Sequence, residues 1–277
     1  MERWEELELE YAKRLRTSGR EERKALYAEA YSVVSEQAIK SSPDDPGKRT
    51  AGTSRTLVRA LIRRCQKNET VLEIGCGRGY TCLGLAPYVK EIVGVDVSET
   101  VLEEARELLK KNHITNAKIQ KISGDGLTEN LETEFFDKVI SIDVYEHLHP
   151  DDAEGHLRDV YELLKPGGKY IIVTPNRLTG PHDFTRRVFP DAKKALGFHL
   201  NETSATELVG KMKMAGFSKF QIVLPFIIKF PIVDRINCPI SLQYRLEQKY
   251  LRTKRPVFVK RAIGLFLGIR LIAKKPS

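Results

Sequence analysis

The pattern of apolar and polar positions changes character near residue 69. Before it, "WEELELEYAKRLR", "REERKALYAEAYSVVSEQAIK" and "SRTLVRALIRRC" carry apolar residues at helical spacing, with a polar, Pro- and Gly-containing break at Ser41 to Gly52. Residues 1–68 therefore read as a helical N-terminal extension or cap. From Glu69 onward short apolar runs alternate with amphipathic stretches. "TVLEIG" precedes "GYTCLGLAPYV", "EIVGVDV" precedes "SETVLEEARELLKKN", and "FDKVISIDV" precedes "DDAEGHLRDVYELL". The runs "AKIQKISGD", "KYIIVTPN", "FSKFQIVLPF" and "IRLIAKKP" complete the set. Continuous apolar strands interleaved with helices predict an α/β, doubly wound, mainly parallel sheet over residues 69–277. Leu157, Val160, Tyr161 and Leu164 recur at helical spacing, and Pro166-Gly167-Gly168 should stop that helix. Two connections, 177–200 and 225–268, are longer than connections between elements usually are, which marks them as substrate-side elements.

Composition narrows the class. The 277 residues are 41% hydrophobic and 30% charged, a globular balance. No apolar run reaches the length of a membrane span, and the acidic opening "MERWEELELE" is unlike a signal or transit peptide. The expected address is the cytoplasm, with association to a membrane surface left open. Cys65, Cys76, Cys82 and Cys238 form no CxxC pair, so reduced thiols are expected. The net charge of +9 is unevenly placed: Phe226 to Ser277 holds twelve Lys+Arg against two Asp+Glu, and the rest nearly balances. That basic, aliphatic-rich region predicts first a lid with its cations in water, then contact with an anionic membrane surface. RNA ranks below both, because no RNA-binding signature accompanies the charge.

The stretch "VLEIGCGRGY" places Gly75, Gly77 and Gly79 where the first strand turns into a helix, the ligand edge of such a sheet. Glycines there admit positive φ and let a ligand approach the backbone. The spacing GxGxG, preceded by Glu73, departs from the dinucleotide pattern. An acid so close would repel a pyrophosphate and suit a cationic group. Asp96, with Val97 after it, ends the next apolar run, where a carboxylate can accept ribose hydroxyls. Asp125, in "ISGDG", is placed to accept from an exocyclic amine. Each acid alone could cap a helix; three at successive strand ends point to a cofactor.

These segments, with "FDKVISIDVYEHL" and "LKPGGKYIIVTPN", resemble class I S-adenosylmethionine-dependent methyltransferases in order and spacing, over roughly Glu69 to Phe220. The resemblance implies a Rossmann-like seven-stranded sheet whose last strand is antiparallel, and S-adenosyl-L-methionine as cofactor. It implies that Glu73, Gly75, Cys76, Gly77 and Gly79 border the methionine end and Asp96 the ribose. Asp125 and Gly126 would face the adenine, with Asp143 at the mouth of the fourth strand. "DVYEHLH" also resembles the EHL segment of small-molecule methyltransferases, and the Glu/His arrangement by which ubiquinone-pathway and small-RNA O-methyltransferases hold a divalent metal.

On the residues themselves, Asp143, Glu146, His147 and His149 form the densest ionisable cluster beside the expected pocket. His147 is the first choice of general base. Glu146 and His147 could instead hold a cation such as Mg2+, with His182 or His199 completing the set, or simply shape the pocket. Asp143 stands where the metal-dependent relatives carry glutamate, which counts against the metal. Asn176 and Arg177 could orient an anionic or sugar-like acceptor, or cap a turn and sit in solvent. The leading reading is an O-methyltransferase acting on a small-molecule, glycan- or lipid-linked acceptor. A non-catalytic adenosyl-ligand binder and a nicotinamide oxidoreductase are the alternatives.

Overall fold

The computed structural model describes residues 1–41, 55–123, 127–223, 237–253 and 257–277. The sheet begins where the sequence texture changes. Strand β1 (Thr70–Ile74) is buried at every position and lies between β2 (Glu91–Asp96) and β4 (Phe136–Ile142), parallel to both. Burial on both faces is why these runs are apolar rather than alternating. Outside them, β3 (Ala117–Lys121) pairs with β2 and β5 (Leu164–Thr174) pairs with β4, again in parallel. The order β3-β2-β1-β4-β5 reverses direction between β1 and β4, which opens a crevice at the carboxyl ends of those two strands.

Helices cover both faces. Leu61 of α3 (Arg55–Ile62), Leu85 of α4 (Tyr80–Leu85) and Leu102 of α5 (Glu99–Lys111) pack with Val71, Ile92 and Ile140. On the other face, Leu157 of α6 (Pro150–Leu163) and Leu208 of α8 (Ala205–Met214) pack with Leu72, Val93 and Val139. Successive β1 residues thus serve opposite layers, as the strand period requires.

Strands β6 (Lys219–Val223) and β8 (Ile269–Lys274) form the expected closing pair, with β8 antiparallel to both β5 and β6. The sheet has eight strands rather than seven: β7 (Asn237–Pro239) adds a short antiparallel edge to β6. Pro239 is tolerated there because an edge position needs no further ladder donor. Strand β5 also starts earlier than Pro166-Gly167-Gly168 suggests. It follows α6 directly, with Gly167 at φ +79° and a register shift between Phe136 and Lys138. Helices α9 (Ile240–Arg252) and α10 (Val257–Gly264) lie within the basic 225–268 segment, whose residues 225–236 and 254–256 fall outside the described ones.

The N-terminal helices α1 (Arg3–Thr17) and α2 (Arg20–Ser41) share a cluster of Leu15, Leu26, Tyr27 and Ala30 that takes in Phe198 from the 177–200 connection. That connection, which carries α7 (Thr185–Val188), is tied down by α1. Arg16 donates to the carbonyls of Leu196 and Gly197, each at 2.8 Å, and Glu8 accepts from the Phe198 amide at 2.9 Å. Helix α2 is anchored to the start of α6 by a buried bidentate pair, Arg23 Nε to Asp152 Oδ2 at 2.7 Å and Nη2 to Oδ1 at 2.6 Å. Tyr27 Oη accepts from the His149 amide at 2.6 Å beside it.

Removing one partner of a buried pair leaves an uncompensated charge, so Arg23→Ala should lower unfolding stability by about 3–5 kcal/mol. Denaturant titration of the two proteins measures it; a loss below about 1 kcal/mol, the range of surface pairs, would place α2 as a loosely held element.

Candidate active site

Between β1 and α4 the chain passes through Gly75 (φ +69°), Gly77 (φ +48°) and Gly79 (φ +75°). At Gly75 the demand is also steric: a Cβ there would come within 2.4 Å of Val144 Cγ2. At Gly77 a Cβ would meet nothing, so the loop presents open backbone. The loop is fastened to the end of β2 by Asp96, whose Oδ2 accepts from the Gly77 amide and Oδ1 from the Ser98 amide, both at 3.0 Å.

Two cavities meet here. The smaller, about 170 Å³, is bounded by Gly75, Asp96, Val97, Tyr31, Asp143 and His147. The larger, about 840 Å³, is bounded by Asp143, Glu146, His147, His199 and Arg270 on the sheet side, and by Trp4 and Phe184 on the cap side. Asp143 and His147 belong to both walls. Asp143 takes a left-handed backbone, φ +52°, with its amide donating to Val173 O at 2.9 Å; aspartate is one of the few residues that tolerates this.

The sequence-predicted residues divide. Gly75, Asp96, Val97, Asp143 and His147 come together at the smaller cavity. Glu73 does not: it shares the Val71 face of β1, is buried beneath the loop, and accepts from Cys82 Sγ at 3.0 Å. Burial pushes its carboxyl up to about 7. Cys76 is buried in the apolar cluster with Cys82, and all four thiols are free. Asp125 and Gly126 lie outside the described residues.

On the acceptor side, Glu146 is buried and accepts from Thr174 Oγ1 at 2.8 Å; desolvation pushes its carboxyl up to about 8. His147 is pushed down to about 3, chiefly by burial and then by His199. Such a ring is neutral at pH 7 and holds a proton only weakly. His199 supplies what the sequence left open. Its Nδ1 lies 2.8 Å from Glu202 Oε1, and it joins Glu146 and His147 in a group whose ligand atoms all lie within 4.8 Å of one another. His182 borders the cavity, but its Nε2 is engaged with Thr179 Oγ1 at 2.9 Å and Asn176 O at 3.0 Å.

Asn176 borders the larger cavity with its side-chain amide engaged in a turn, whereas Arg177 sits at the surface. The Asn176 side chain is fully buried, donating to Glu247 Oε1 at 2.7 Å and Leu267 O at 2.9 Å and capping the turn at Leu178 N. Arg177 pairs with Glu207 at the surface. Sequence reasoning passed over Trp4, Tyr31 and Arg270, which come from distant segments and carry no local motif.

An adenosyl cofactor fits the smaller cavity because the buried Tyr31 hydroxyl that lines it has no hydrogen-bond partner among the described residues. A divalent cation fits the Glu146-His147-His199 group, because one carboxylate and two imidazoles suit it, His147 Nδ1 lacks a partner, and Glu202 holds His199 from behind.

Residues 71–168 match the family model described as a methyltransferase domain. A Mycolicibacterium smegmatis protein described as a probable S-adenosylmethionine-dependent methyltransferase is 28% identical over 157 residues, 57% of this chain and 54% of that one. The chain thus spans about half the length of the curated relatives it matches. Among solved structures, a chain of the Haloferax volcanii complex with the Trm112 methyltransferase activator superposes with TM-score 0.58 at 14% identity, covering 91% of this chain and 98% of that one. Haemonchus contortus phosphoethanolamine N-methyltransferase 2, in complex with S-adenosyl-L-methionine, gives 0.54 at 19%, covering 81% and 53%. At these identities the two structures speak for the fold.

The sign of the Glu73 shift gives a testable pH dependence. Its surroundings are Asp96, which raises the carboxyl further, and Thr81 and Cys82, which lower it by hydrogen bonding. Folded Glu73 holds its proton to about pH 7 whereas the ordinary value is 4.5. The folded form therefore binds more protons between those values, and this contribution to stability is lost as pH rises through the window, by about 3 kcal/mol. Thermal melts of wild type and Glu73→Gln from pH 4.5 to 7.5 should converge at the acid end and separate at the alkaline end, the variant being the more stable. Parallel curves would refute the assignment.

Proposed function

We propose that this protein, which carries a class I S-adenosylmethionine-dependent methyltransferase domain, methylates an oxygen of a small-molecule acceptor bound in the larger cavity. Glycan- and lipid-linked acceptors are included. What supports this reading is one observation: Asp143 and His147 form a wall common to both cavities, beside the Glu146-His147-His199 group. S-adenosyl-L-methionine supplies an electrophilic methyl group on a sulfonium. Everything else falls to the chain.

The glycine loop and Asp96 hold the donor end. Trp4, Phe184 and Phe198 bound the acceptor side, with helices α1 and α2 acting as its cap. Alignment of the two reactants in a closed space is itself a large part of the rate. A hydroxyl acceptor must also lose its proton. The Asp143 carboxylate would take it as the O–H bond breaks and the oxygen–carbon bond forms, while the sulfur–methyl bond breaks and S-adenosylhomocysteine leaves. Glu146, His147 and His199 would hold a divalent cation such as Mg2+, which would polarise that hydroxyl.

The basic C-terminal region supports a peripheral membrane contact. Arg245, Lys249 and Arg252 line one groove on α9, and Leu251 is exposed beside them, an arrangement suited to an anionic lipid surface. No helix among the described residues is long and apolar enough to cross a membrane. Binding to phosphatidylserine vesicles should exceed binding to neutral ones and weaken with salt; equal binding to both would exclude it.

Asp143→Asn should lower kcat by about 10²–10⁴-fold in an S-adenosylhomocysteine release assay, leaving cofactor affinity in isothermal titration nearly unchanged. Normal turnover would remove Asp143 from the chemistry. Titration of Mn2+ should show one site in wild type that is lost in Glu146→Gln and His199→Ala. Binding that survives both substitutions would place the cation elsewhere.

A further inference from the structure

Arg270 is the second residue of β8 and pairs with Val173 of β5. Because β8 runs against its neighbours, its first residues emerge at the edge where the parallel strands end. There Arg270 stands one pair along from Thr174, which holds Glu146. It lines the larger cavity, half-buried, and its guanidinium makes no hydrogen bond and no ion pair within 4 Å among the described residues. Its one charged neighbour, Asp143, acts from longer range. The other arginine lining the cavity among the described residues, Arg187, is engaged with Glu5. Burial penalises the Arg270 cation as well, pulling its pKa below the ordinary value.

A partly desolvated guanidinium facing a cavity is stabilised most by a planar oxyanion, which its fork can grip with two parallel bonds. We propose that Arg270 is a specificity residue that binds an anionic oxygen group, carboxylate or phosphate, on the acceptor. The enzyme then selects acidic hydroxy compounds over their neutral analogues. This rests on the reading of the larger cavity as the acceptor site. The cavity fits such a molecule at both ends. The hydroxyl lies toward Asp143 and Glu146, the anion meets Arg270, and an apolar body packs against Trp4 and Phe184, whose rings meet edge to face at 6.3 Å. Adjacent strands lie about 5 Å apart, so the two polar groups belong on one compact scaffold.

The chain contains a single tryptophan, Trp4, and it lines this same cavity, so its fluorescence reports occupancy without any methyl transfer. The full chain, saturated with S-adenosylhomocysteine, is titrated with 4-hydroxyphenylacetate, with the neutral 4-hydroxyphenylacetamide and with inorganic phosphate. The acid or phosphate should bind saturably, and the amide about tenfold or more weaker than the acid. Tighter binding of phosphate than of the acid assigns phosphorylated acceptors, and the reverse assigns carboxylates. Arg270→Gln should bring the acid down to the level of the amide, and Arg270→Lys should keep most of the preference. Equal binding of acid and amide by wild type, or an undiminished preference in Arg270→Gln, would overturn the proposal. The wild-type comparison decides even if the glutamine variant does not fold. Loss of the methyl-transfer reading would show separately, as failure to release S-adenosylhomocysteine with any acceptor.

Discussion

The contact between Gly75 and Val144 sets the distance on which the active site depends. A side chain at Gly75 would overlap the valine, so the glycine loop and the segment that follows β4 can approach this closely only through bare backbone. That approach puts Asp96 and Asp143 on one cavity wall, although they come from strands on opposite sides of β1. The left-handed turn at Asp143 completes it, aiming the 143–147 segment across the end of the sheet. Asp96, holding Gly77 and Ser98 together, keeps the loop from relaxing away.

The electrostatic character of the acceptor side comes from the cap rather than from the sheet. Helices α1 and α2 and the 177–200 connection cover Glu146 and His147. Desolvation then raises the one and lowers the other, so both favour their neutral forms. A neutral imidazole with a free lone pair is ready for a cation and unsuited to collecting protons. The cap is itself held by polar contacts of long sequence separation, such as Arg23 with Asp152 and Glu8 with Phe198. The pocket is therefore a product of tertiary assembly, and its chemistry changes if the cap loosens.

This explains what the sequence disclosed. The strands, the loop and the clustering of Asp143, Glu146 and His147 are local features, each written in a few consecutive residues, and they were legible. Glu73 was misplaced because strand alternation gives it the same face as Val71, turned toward Cys82 and away from the cavity. For Asn176 the sequence allows both an acceptor contact and a turn cap; Glu247, seventy-one positions on, occupies its amide, and no local pattern announces that partner. His199 was one of two candidates, and only packing of the long connection separates it from His182. Trp4 and Arg270 left no trace, because their proximity follows from how the two chain ends fold onto one sheet edge.

The two ends of the chain are unequal neighbours of the site. Trp4, in the first turn of α1, walls the larger cavity. At the other end, Lys275 and Pro276 bond the Gly167-Gly168 segment at the beginning of β5, the opposite edge of the sheet. A reporter attached to a side chain in the first turn of α1 would border the larger cavity and compete with whatever enters it. The same reporter on the Ser277 side chain would lie at the far end of the sheet, and material labelled there is the right starting point for any search for a ligand of that cavity.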